Sequence, residues 1–179
     1  MNLEKTEILL NKKLNERDFD SYEVLVYAGG EKEYVHSPNV NKDTYFDIAS
    51  MGKVLVTSTL ILKAIDKNRL ALVDTLEKFF DAVPNDKRNI TVEQLLTHTS
   101  GIVRYEIPQA AADAGSDAVA EFILNTPLSF EPGKSQIYSC NGMILLGYIL
   151  EKIYGKSLEE IERYWIKKDL IKSRTMDFK

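Results

Sequence analysis

Ser50-Met51-Gly52-Lys53 stands directly before an apolar run, Val54-Leu55-Val56, that continues through Leu60-Ile61-Leu62 to Ile65. Read as one helix from Ser50 to Lys67, the stretch puts Lys53 a turn after Ser50 on the same face. A serine hydroxyl beside an amine that can take its proton is the minimal kit for acyl transfer. The same spacing also fits a plain N-cap serine followed by a solvated lysine. Two features favour chemistry. The approach, Phe46-Asp47-Ile48-Ala49, is an anchored apolar one, and the helix is apolar on nearly every face. Its start is therefore expected to be buried, where desolvation lowers the pKa of Lys53 and leaves a neutral amine to act as general base. Gly52 costs about 1 kcal/mol relative to Ala in a helix, which implies close packing or a need for space beside the serine.

Working outward, Leu3, Ile8, Leu9 and Leu14 mark an amphipathic first helix. Tyr22 to Ala28 reads as a strand, Gly29-Gly30 as a hairpin turn and Glu33 to His36 as the returning strand. Beyond the central helix, a short helix follows Asp74. Thr91-Val92-Glu93-Gln94 is a capping box that opens a helix over 92–97, ended by Ser100-Gly101. Further helices are predicted over 117–124, with Pro127 at its exit, and over 143–154, stopped by Gly155. Pro132-Gly133 is a turn, and Ser157 with Glu160 caps a last helix reaching about Lys168. The fold class is α+β: a first helix and one hairpin, then almost nothing but helix. A lone hairpin is marginal by itself, and its unpaired edge invites another copy or a complementing segment.

With 179 residues, the chain can bury one real core, or at most two small ones. Its 44% hydrophobic and 28% charged content is that of an ordinary folded domain rather than a disordered one. A net charge of -4 and the lack of a dense Lys/Arg run argue against a nucleic-acid partner. The longest apolar runs fall short of a membrane segment, and the start lacks the apolar core of a leader, so the chain as written reads as cytoplasmic. A leader already removed would instead place it in the cell envelope or outside. One cysteine, Cys140, forms no internal disulfide. Two histidines and that cysteine offer no local cluster for zinc, and no glycine loop cradles a phosphate, so no cofactor is implied.

The second candidate stretch is Tyr138-Ser139-Cys140-Asn141. A tyrosine hydroxyl facing Ser50 and Lys53 would relay a proton to a leaving group, although a core aromatic is the default role of tyrosine. Ser139 and Asn141 equally suit helix capping, and Cys140 suits a small buried hydrophobe. His98, at the end of a short helix, more naturally satisfies carbonyls and fixes a loop than pairs with a serine.

Taken together, these stretches resemble the penicillin-recognising serine hydrolases: class C beta-lactamases, D-alanyl-D-alanine carboxypeptidases and related esterases. The resemblance rests on 46–53, on Asn68 to Asp74, on Ile90 to Ile102, on Phe130-Glu131-Pro132-Gly133 with Tyr138-Ser139, and on Ile144-Leu145-Leu146-Gly147. It implies that Ser50 is the acylated nucleophile, Lys53 its base and Tyr138 the group handling protons at the leaving atom. The family's Tyr-x-Asn is Tyr138-Ser139-Cys140 here, with Asn141 one place late, so Cys140 and Asn141 are the substrate-binding candidates. His98 is structural in the family.

The resemblance also implies a beta-lactamase-like fold met before its later strands: a single partial domain over 1–179, with helix and hairpin in 1–49 and a mainly helical region in 50–179. Residues 170–178 resemble the segment just before those strands. In the family a later strand carries Lys/His-Thr/Ser-Gly and gives a second oxyanion donor, and no Lys-Thr-Gly or His-x-Gly occurs in this sequence. One such donor is worth roughly 3–4 kcal/mol. The expected function is hydrolysis of a β-lactam, a D-Ala-D-Ala-type peptide or an ester through an acyl-enzyme. The alternative is a weak or inactive scaffold that binds peptides or self-associates through its open sheet edge.

Overall fold

Gly29 and Gly30, both at positive φ (62° and 83°), turn the chain between two antiparallel strands in the computed structural model, which describes residues 2–103 and 105–165. Positive φ at both turn positions is what a two-residue hairpin demands, because that turn matches the twist of its strands. The strands are β1 (Glu23–Ala28) and β2 (Glu31–His36), paired from Glu23 opposite His36 to Ala28 opposite Glu31. They follow helix α1 (Glu4–Asn15), to which the hairpin is tied by the Tyr22 hydroxyl donating to Asn11 Oδ1 at 2.9 Å. Among the described residues the sheet has only these two strands. The described residues fall into two compact units, divided between Ile48 and Ala49.

The second unit is helical. The expected continuous helix is present from 51 to 66, but its first part, Lys53–Ser58, is π-wound before it runs into helix α2 (Thr59–Asp66). Val54, Val56 and Thr57 are β-branched and lose side-chain freedom against a tight α turn, and the wider winding relieves that crowding. The Thr59 hydroxyl donates to the Val54 carbonyl, five residues back, at 3.0 Å. The helix that was expected after Asp74 is one 3-10 turn, Leu76–Lys78. Among the described residues five more helices follow: α3 (Val92–Leu96), α4 (Gln109–Ala114), α5 (Ser116–Asn125), α6 (Cys140–Tyr154) and α7 (Leu158–Trp165). The alanine-rich α4 buries no residue, so it carries no apolar period by which the sequence would reveal it.

Helix α6 is the axis of the core. Its Leu145, Leu146, Ile149 and Leu150 are fully buried among Ile61 of α2, Leu95 of α3, Ile123 of α5 and Ile161 of α7. Close approach of α6 and α7 depends on Gly147, where a Cβ would stand 3.3 Å from Leu158. The caps work as their residues imply. Ser139 accepts from the Gly142 N–H, and Ser157 exchanges bonds with Glu160 at the start of α7. The predicted extension to Lys168 and the stretch 170–178 lie outside the described residues. Thr91 accepts from the Gln94 N–H at 3.2 Å while Gln94 Oε1 accepts from the Thr91 N–H at 3.0 Å. Thr91→Ala is expected to lower the unfolding free energy by about 1 kcal/mol, measured by urea denaturation; an unchanged midpoint would mean that the cap contributes nothing here.

Candidate active site

The central helical segment, the loop before α6 and the turn after α3 bring the candidate residues together. Lys53 Nζ donates to Ser50 Oγ at 3.1 Å. The same ammonium lies 5.5 Å from the centroid of the Tyr138 ring. Ala49, just before the serine, has φ +44°, a left-handed conformation that costs a non-glycine residue about 1–3 kcal/mol and is found most often at functional sites.

The environment of the pair differs from the buried one expected. Ser50 is exposed, and so are Met51, Val54 (66%) and Leu55. Only one side of the segment turns inward, with Thr57, Leu60, Ile61 and Ala64 buried. Lys53 is half-buried, and its pKa is raised above the ordinary 10.5 rather than lowered. The hydrogen bond with Tyr138 favours the ammonium and outweighs the desolvation that opposes it, with Cys140 adding a smaller favourable contribution. Gly52 is not closely packed either: a Cβ there would meet nothing within 4 Å, so the glycine leaves space beside the serine.

That space belongs to a cavity of ≈ 450 Å³ bounded by Ala49, Gly52, Lys53 and Thr57 on one side and by Cys140 and Met143 of α6 on the other. Cys140, a free thiol, thus faces the site beside Lys53. Asn141 does not line this cavity. It is buried, its side-chain amide donating to the Tyr105 carbonyl at 3.3 Å. The one-place offset from the family's pattern turns it toward the core while Cys140 takes the third position of the triplet.

The turn after α3 holds the loop before α6, and the His98 ring accepts from an N–H there instead of donating to carbonyls as expected. Ser129 N–H donates to the Gly101 carbonyl (3.0 Å), Gly133 N–H to that of Thr99 (2.8 Å) and Ile137 N–H to that of His98 (3.1 Å). Gln136 Nε2 adds a bond to the Thr97 carbonyl at 2.8 Å, and the Ser139 N–H donates to His98 Nδ1 at 3.2 Å. These bonds splint the loop that presents Tyr138. The signal available in the sequence was the pair of turn formers, Ser100-Gly101 and Pro132-Gly133, whose loops had to find partners for their backbone groups. Among the described residues no cluster of His, Cys, Asp or Glu could hold a metal ion.

Comparison with known proteins places the chain in a family. The profile of the beta-lactamase family matches residues 9–170. The chain belongs to the beta-lactamase family. An N-acetylmuramyl-L-alanine amidase of Bacillus subtilis (strain 168) is 30% identical over 129 residues, covering 65% of this chain and 29% of that protein. A beta-lactamase of Pseudomonas fluorescens is 25% identical over 157 residues, covering 83% of this chain and 43% of that protein. The crystal structure of a D-stereospecific amidohydrolase from Streptomyces superposes with a TM-score of 0.78 at 25% identity, covering 96% of this chain and 55% of that one. The chain therefore spans less than half the length of these two curated relatives. What it shares with the beta-lactamase family is the mostly helical part of an α+β fold with its N-terminal hairpin. No helix among the described residues is long and apolar enough to cross a membrane.

Proposed function

We propose that this chain carries the nucleophile-bearing part of a serine hydrolase that forms an acyl-enzyme on an amide, β-lactam or ester. The single observation that supports this most is the 3.1 Å hydrogen bond between Lys53 Nζ and Ser50 Oγ. In the reaction the neutral amine of Lys53 takes the Ser50 proton as Oγ attacks the carbonyl carbon. The Ser50 N–H gives one donor to the developing oxyanion, and Tyr138 passes a proton to the departing atom as the bond to it breaks. Water then hydrolyses the ester on Ser50. Cys140, on the wall of the adjoining cavity, is a contact for the substrate side chain. The relatives are an amidase, a beta-lactamase and an amidohydrolase, names that denote cleavage of an amide bond, which fits this reading. Intact mass after incubation with a fluorophosphonate, and separately with a penicillin, tests it. One label per chain on Ser50 is the expected result, and a chain that takes neither label would overturn the reading.

A second reading is favoured by the raised pKa of Lys53 and the exposure of Ser50: a slow scaffold whose two-stranded sheet pairs with another copy. Light scattering on a size-exclusion column then shows a mass that grows with loading concentration. A constant monomer mass excludes self-association.

A further inference from the structure

His98 sits between the turn after α3 and the loop before α6, and it holds both neighbours of Tyr138. We propose that His98 is a positioning residue whose neutral ring keeps Tyr138 in register with Ser50 and Lys53, and whose protonation releases it. The proposal rests on the reading of Ser50, Lys53 and Tyr138 given above.

The bonds are specific. His98 Nδ1 accepts from the Ser139 N–H at 3.2 Å, so the ring proton of the neutral imidazole resides on Nε2. The His98 carbonyl accepts from the Ile137 N–H at 3.1 Å. The residues before and after Tyr138 are thus both fixed by one histidine. Its ring also meets the Tyr138 ring directly, with centroids 4.8 Å apart and planes tilted by 50°. A φ of +59° at His98 aims carbonyl and ring together at this loop, a conformation that few non-glycine residues adopt.

The bond exists in one protonation state only. A proton added to Nδ1 would set an N–H against the Ser139 N–H, turning attraction into repulsion. The titratable groups facing His98 are Lys53, from the central helical segment, and Tyr138, from the loop; Thr97 and Thr99 beside it bring hydroxyls. Burial, and secondarily the charge of Lys53, hold its pKa below the ordinary 6.5. A group whose charged form is disfavoured by folding adds stability that is complete above the unfolded-state pKa. That stability is lost as pH falls from 6.5 through the lower folded value. At neutral pH the clamp is closed; in mild acid it opens.

His98→Asn is the informative variant, because Asn tolerates positive φ and offers an acceptor near the position of Nδ1 without titrating. In NMR titrations of the whole chain, the Ser139 amide and Tyr138 ring resonances should move with the His98 ring, at one midpoint below 6.5, and stay still in His98→Asn. Labelling of Ser50 should fall about tenfold more steeply between neutral pH and pH ~5 in the wild type than in His98→Asn, and His98→Leu should label about tenfold more slowly at neutral pH. Resonances of Ser139 and Tyr138 that ignore the titration of His98 would overturn the proposal, as would an undiminished acid fall in His98→Asn. The resonance titration gives its answer even in a chain whose Ser50 takes no label, so a failure of the hydrolase reading is told apart from a failure of this one.

Discussion

Ser50→Ala is expected to abolish labelling by a fluorophosphonate, and Lys53→Met to slow it by about 10²–10⁴-fold, the usual worth of a positioned general base. Methionine keeps much of the length and apolar stem of lysine while removing the amine that bonds to Ser50 Oγ. Because the Tyr138 bond raises the pKa of Lys53, the neutral amine is a minor species at neutral pH. Its fraction, and with it the labelling rate, is expected to climb about tenfold per pH unit on the alkaline side until the amine is half deprotonated. Lys53→Met should lose that slope. The same raised pKa has a stability consequence of defined sign. The Lys53 contribution is present at neutral pH and is lost as pH rises past 10.5 and through the folded-state value. Stopped-flow or timed-quench labelling across pH measures the slope, and urea denaturation across the alkaline range measures the stability. A Lys53→Met chain that labels at the wild-type rate would remove the amine from the mechanism.

Gly101→Ala carries the largest expected loss of stability. Gly101 has φ +78°, and a Cβ there would collide with the Phe130 carbonyl oxygen and crowd its carbon at 3.4 Å. A left-handed alanine costs roughly 1–2 kcal/mol and forced overpacking a further 1–3, so a loss of about 2–5 kcal/mol is expected in urea denaturation. Gly155→Ala is the control. It has φ +62° but nothing within 4 Å, so it should show only the conformational part, about 1–2 kcal/mol. Equal losses at the two positions would show that the approach of Phe130 is unimportant. Gly101→Ala should also slow Ser50 labelling, because the Gly101 carbonyl accepts from Ser129 in the loop that leads to Tyr138. Gly155→Ala, at the far end of α6, should leave labelling unchanged.

Local signals were legible wherever one short stretch contained its own physical cause. Thr91 and Gln94 satisfy each other's turn, Gly29-Gly30 supplies the φ values of the hairpin, and Gly155 ends α6 at φ +62°. The three-residue spacing of Ser50 and Lys53 likewise placed hydroxyl and amine on one face. Where several β-branched residues met, as in 53–58, a simple period of 3.6 misjudged the winding.

The amino-acid order thus dictated the longer helices, the caps, the hairpin turn and the serine–lysine pair, because each is set largely by interactions between near neighbours in the chain. Tertiary packing decided the remainder: that Lys53 is held as an ammonium by Tyr138, that Asn141 points to Tyr105 while Cys140 faces the cavity, and that His98 grips the loop forty residues downstream. Charge state and side-chain direction depend on which groups come within hydrogen-bond reach and how much water they lose. Both follow from contacts between residues far apart in the chain.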